Sequence, residues 1–330
     1  MLKAIQKNIV LQTVLILAAL VLLWIRPLLS PQPMPGGEHP AILYALLCQW
    51  LAAVPRLAVI IAMLLVLAEG VLLNILLSET GLVSQNSLLP TLLFVIVSSA
   101  GATTLTPVLL VNGVAIACLH QLMLRGTLLT ISPGKICSAT ALTGIATMFC
   151  QPAILLLLTY LLVAVNYRLY SWRDWILLLF GFAAPFLPLL AVLSFTGGVE
   201  TWWQETLAGL SDAGLRTGDS GTMPVIGSLL LTVVFLWSLL TTLGHMGERP
   251  VLWQKNVTTV LLFAVGDVGL LLYMPSLPIP MAVLSIPFTF CTTHLLTTGS
   301  SVPTGYGRRK SRIWIYDITF ILTLTAAMIC

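Results

Sequence analysis

Long apolar runs, interrupted at short intervals by proline, glycine or a basic pair, recur from one end of this chain to the other. Stretches such as "LAVIIAMLLVLAEGVLLNILL" lack the polar and apolar alternation of outer-membrane barrel strands, and as helices they are long enough to cross about 30 Å of hydrocarbon. The pattern predicts segments at 9 to 26, 57 to 78, 88 to 100, 106 to 124, 136 to 150, 152 to 168, 174 to 195, 224 to 245, 256 to 274, 280 to 297 and 313 to 330. The expected fold is therefore all-α: a polytopic transmembrane helical bundle of about eleven spans, forming one integral membrane domain over residues 1 to 330. The segments at 88 to 100 and 136 to 150 are short for a full crossing, and fit extended, tilted or re-entrant helices. Residues 41 to 54, "AILYALLCQWLAAV", stop at Pro55 and Arg56 and read as a helix on the membrane surface, with a further span as the alternative.

Composition and charge fix the surroundings and the expected orientation. Charged residues make up 8% of the chain and hydrophobic ones 58%, too little polarity to cover a water-facing surface. The N-terminal apolar segment follows two lysines but leads into "RPLLSPQPMP" with no small-residue cleavage site, so it reads as an uncleaved first span. With the N-terminus inside, twelve of the fifteen Lys and Arg residues fall on the inner side, and only Arg26, Arg56 and Arg216 fall outside. The C-terminus is then outside. Two polar outer connections result: residues 27 to 56, which include the surface helix, and residues 196 to 223, whose "VETWWQETLAGL" reads as an amphipathic helix with Trp202 and Trp203 at the lipid boundary. The expected location is a bacterial inner membrane, with the bilayer as partner and no nucleic-acid partner.

A few residues stand out as candidate chemistry. Glu38 and His39 are adjacent behind Gly36 and Gly37, a pairing that permits proton transfer or metal binding, or simply forms a solvated turn. Arg56 either clamps a lipid phosphate or snorkels to the headgroups, and Arg216 and Arg26 offer the same alternatives. Glu69 and Asp267 lie within apolar runs, so each is expected to face the bundle and there to stay protonated or to hydrogen-bond a neighbouring helix or a group such as Asn74; the alternative is a proton-coupled transporter. Asn112 beside Gly113, His120 and His294 read as packing contacts. The six cysteines form no CxxC pair and read as buried thiols, not a metal site. No HExxH, Walker loop, GxSxG or dinucleotide fingerprint occurs, so the best-defined soluble chemistries drop out and the cofactor stays open.

The runs "NSLLPTLLFVIVSS", "TPVLLVNGVAIACLHQL" and "ICSATALTGIATMFCQPAILLLLTYLLVAVNYRLYSWRDWILLLFGFAAPFLPLL" resemble a family of bacterial multipass inner-membrane proteins, a domain of unknown function, over roughly residues 60 to 195. The shared features are a short span with Leu-Pro, an Asn midway along the next, a Gln-Pro break and a Trp-Arg-Asp-Trp boundary. The layout is in turn similar to membrane glycosyltransferases that use polyprenyl-phosphate sugars, with an acid in the first outer loop as general base or metal ligand. That resemblance implies Glu38 in this role, with a polyprenyl-phosphate lipid held by Arg56 and Arg216. The single acid in place of the usual pair leaves a second expectation, a non-catalytic subunit partnered with another envelope protein.

Overall fold

Proline starts much of this fold. It occupies the first or second position of the helices Pro55–Glu79, Leu89–Ser98, Pro107–Leu122 and Pro133–Phe149, where its missing N–H costs nothing and its fixed φ favours the first turn. The computed structural model describes residues 8–35, 39–83, 87–100, 104–123, 131–169, 171–211, 222–273, 283–301 and 309–329. Among these residues the chain is all-α, with fourteen α-helices: α1 (Ile9–Leu29), α2 (Ile42–Leu51), α3 (Pro55–Glu79), α4 (Leu89–Ser98), α5 (Pro107–Leu122), α6 (Pro133–Phe149), α7 (Leu155–Asn166), α8 (Trp172–Ala183), α9 (Phe186–Thr196), α10 (Val199–Ser211), α11 (Thr222–Gly244), α12 (Val251–Tyr273), α13 (Ser285–Ser301) and α14 (Arg309–Ile329).

Every apolar segment expected from the sequence contains helix, and so do the two outer connections, as α2 and α10. Length separates these helices. Ile9–Leu29, Pro55–Glu79 and the stretch Ile226–Glu248 are long and apolar enough to cross a membrane. The expected single span at 174 to 195 is instead two helices, α8 and α9, bent by 41° at a break, and this pair is a fourth candidate if taken as one span. Pro185 lies in that break and Pro188 follows it, removing two N–H groups from the helical ladder. At ten residues, α4 rises only about 15 Å, half the hydrocarbon thickness, and all ten of its residues are buried.

Two apolar cores organise the packing. One gathers α1, α3 and α4; the other surrounds α5 and α6 and extends through α7, α11, α12 and α13. Small residues set the closest approaches. A Cβ on Gly144 of α6 would lie 2.5 Å from the Phe182 carbonyl oxygen of α8, and Gly181 of α8 meets the Cys137 backbone and Thr140 of α6 in return. Polar side chains join helices far apart in sequence. Trp24 Nε1 donates to Ser99 Oγ at 2.9 Å, the Leu88 N–H donates to Gln12 Oε1 at 2.6 Å, and Thr91 Oγ1 donates to the Gly70 carbonyl at 3.1 Å. In an apolar medium such bonds average about 0.6 kcal/mol each and fix register more than they add stability.

Candidate functional site

Three interruptions of helix, at Cys150, Pro185 and Gly197, enclose one cavity. Cys150 is extended (φ −150°, ψ 104°), which ends α6 and lets Gln151–Ile154 turn as a 3-10 helix. The break at Pro185 swings α9 away from α8, and Gly197, in the left-handed region at φ 72°, reverses the chain into α10. Between these elements lies a cavity of about 540 Å³. Its walls are Thr147, Met148, Gln151 and Ile154 on one side, Phe182 to Leu190 of the bent pair on another, Val199 to Leu210 of α10 above, and Ala41 and Ile42 at the start of α2.

The chemistry of this lining is hydrocarbon. Thr147 Oγ1 donates to the Gly144 carbonyl at 2.6 Å and Thr206 Oγ1 to the Trp202 carbonyl at 2.8 Å, so both hydroxyls are spent on their own helices. Gln151 carries the one amide side chain among the lining residues, beside the indole N–H groups of Trp202 and Trp203, and it packs against Gly209, where α10 meets the turn. Rings lead from the bend to α10: Phe182 to Phe186 at 5.5 Å between centroids, Phe186 to Trp202 at 6.3 Å, and Trp202 to Trp203 at 6.4 Å. Trp203 and Trp50 are exposed, as suits amphipathic rings at a membrane boundary. On α2, Tyr44 donates to the Leu105 carbonyl at 3.1 Å, and burial pushes its phenol, and the Cys48 thiol, above their ordinary ranges.

The residues singled out in the sequence do not form one constellation. Glu38, Gly36, Gly37 and Arg216 lie outside the described residues. His39 stands two residues before the lining residue Ala41. Arg56 is exposed at the start of α3, beyond the far end of α2, and is not among the lining residues. Arg26 is exposed near the end of α1. Asn112 Nδ2 donates to Ser285 Oγ at 3.2 Å, tying α5 to α13. His294 is buried among aromatic rings, 5.2 Å from Trp253 and 6.3 Å from Phe290, with Nδ1 3.4 Å from Thr242 Oγ1.

Both acids are buried, as expected, and of the alternatives for Glu69 the pairing with Asn74 is not made. Neither carboxylate oxygen of Glu69 has a hydrogen-bond partner, and the Asn74 Oδ1 has none either. Five residues along a helix turn a side chain by about 140°, so Glu69 and Asn74 diverge. What faces Glu69 is Gly113 of α5, which offers no side chain and only its backbone N–H as a donor. Asp267 is buried on α12 with Oδ2 unpartnered. The glycines around it do admit close approach, Gly266 against Thr159 and Gly269 against Leu155. Sequence reasoning overlooked Thr147 and Tyr160, which look like ordinary apolar-run residues, and Thr206, which is one polar position among several in the amphipathic helix; it took Gln151 only as part of a Gln-Pro break. Among the described residues no group of three or more His, Cys, Asp or Glu side chains is placed to hold a metal ion.

The class these features define is an all-α protein with a few apolar helices suited to crossing a membrane. Compared with known protein families, curated proteins and solved structures, the chain matches none of them.

Proposed function

We propose that this chain is a multipass protein of a bacterial inner membrane, its apolar segments embedded with the N-terminus inside, and that it holds a polyprenyl-phosphate-linked sugar at its outer face. One observation carries the reading: the two polar connections assigned to the outer side by the basic-residue distribution, 27 to 56 and 196 to 223, both contribute walls to one hydrocarbon-lined cavity. Its volume lies within the range of small-molecule sites, about 300–1,000 Å³. The lining carries no charge, so it suits the isoprenoid chain; the phosphate belongs outside it, where the outer arginines are the available cations.

In a glycosyltransferase-like reaction, the Glu38 carboxylate takes the proton from an acceptor hydroxyl as that oxygen bonds to the sugar's anomeric carbon. The polyprenyl phosphate then leaves with the electrons of the broken bond. The test is mass spectrometry of lipids retained by the detergent-purified protein. A polyprenyl-phosphate species present in wild type and lost in Ala183→Trp, which narrows the cavity, is the expected result; the same bulk phospholipids in both would overturn the reading. Loss of transfer in Glu38→Gln with lipid still bound identifies the base, whereas indifference to that change makes the chain a holder of the lipid and not a transferase.

A further inference from the structure

Glu69 sits well inside α3, 1% exposed, with neither carboxylate oxygen hydrogen-bonded among the described residues. The fold makes room for it. A Cβ on Gly113 would come within 2.7 Å of Oε1, so glycine at this position lets the carboxyl lie where it does between α3 and α5. The adjacent Gly70 is clamped to α4 by the Thr91 hydroxyl, so the residue is held on both sides of α3. Of the polar residues close to it in sequence on α3 or beside Gly113 on α5, Asn112 donates to Ser285, and Asn74 lies about 140° around the helix.

The helices packed on α3 supply few charges. The titratable side chains on them are the exposed Arg26 on α1, Tyr44 and Cys48 on α2, none on α4, and Cys118 and the exposed His120 on α5. Tyr44 donates to the Leu105 carbonyl, and Cys118 lies against the Ala139 carbonyl and Thr143. Among the described residues of these helices no cation faces the carboxyl, and a bare carboxylate in an apolar interior is expensive. A metal ion would need several oxygen ligands, and no group of three or more His, Cys, Asp or Glu gathers anywhere among the described residues. A proton is the cation that one carboxyl can hold alone.

We propose that Glu69 is a proton-exchange site within the bundle: it holds a proton while α3 and α5 are closed around it, and releases it when they part enough to admit water. This site is independent of the cavity beneath α10. A hydrophobic carbodiimide tests it, because such a reagent adds to a protonated carboxyl. The carboxyl oxygen bonds to the central carbon, the proton passes to one nitrogen, and the acyl group then migrates to nitrogen, so the product gains the whole reagent and nothing leaves. In the detergent-purified full chain the adduct should map to Glu69 and not to the exposed Glu79, form several-fold more slowly as the buffer is made alkaline, and vanish in Glu69→Gln. Infrared spectra should show a protonated-carboxyl stretch that shifts in deuterium oxide and is absent from the same variant. An adduct only on other acids, or one whose rate ignores pH, overturns the proposal; because wild type alone supplies the peptide map and the pH series, the test stands even if the variant fails to fold.

Discussion

Helices α4 and α9 look alike in sequence and behave as opposites in the fold. "LPTLLFVIVS" and "FLPLLAVLSFT" are both about three turns of apolar residues with a proline near the start, yet every residue of α4 is buried and none of α9 is. Hydrophobicity therefore identifies an apolar surrounding without saying whether protein or lipid provides it. The difference lies in the neighbours. Around α4 stand α1, α3, α13 and α14, with Gly70 admitting the Thr91 contact; α9 is flanked chiefly by α10, to which it is joined by a glycine turn. The buried helix holds the bundle together, and the exposed one forms the wall of a cavity.

Substitutions in the two helices should break this comparison if it is wrong. The largest difference is expected between Phe94→Ala and Phe195→Ala. Phe94 is fully buried and its truncation should cost about 3 kcal/mol through the cavity left behind. Phe195 is 92% exposed, and its loss should cost under about 0.5 kcal/mol, both read from thermal unfolding in one detergent. Equal effects would mean that α4 is not the structural centre.

A smaller effect separates two glycines of α6. Gly144→Ala forces a methyl against the Phe182 carbonyl and should cost about 1–3 kcal/mol, while Gly134→Ala, with nothing within 4 Å of the added Cβ, should be neutral or slightly stabilising. Unfolding midpoints of the two variants decide it. Smallest of all, Trp24→Phe removes the bond to Ser99 and should cost about 0.5–1.5 kcal/mol, whereas Trp203→Phe, at an exposed position, should leave stability unchanged.

Much of the helical layout is legible in the sequence, because apolar runs bounded by Pro55, Pro107 and Pro133 mark helix starts by a local mechanism. The amphipathic α10 was legible for the same reason, from the spacing of Trp202, Trp203 and the apolar residues after them. The break at Pro185 is written in "FAAPFLP", but a proline in a membrane helix can kink it without ending it, so the motif does not by itself divide the segment. The surroundings of Glu69 were not legible at all. Its facing residue, Gly113, lies 44 positions away, and the choice of Gly113 over Asn74 depends on how α3 is rotated in the bundle. The cavity is hidden for a similar reason: its walls come from four separate stretches, and the lining threonines spend their hydroxyls on their own helices.

The most direct measurement is photo-crosslinking with a polyprenyl phosphate carrying a light-activated group along its chain, followed by peptide mapping. Crosslinks concentrated on 147 to 154, 182 to 190 and 199 to 210, and displaced by unlabelled polyprenyl phosphate, are the predicted result. Crosslinks spread over the exposed faces of α1 and α9, with no competition, would contradict the account.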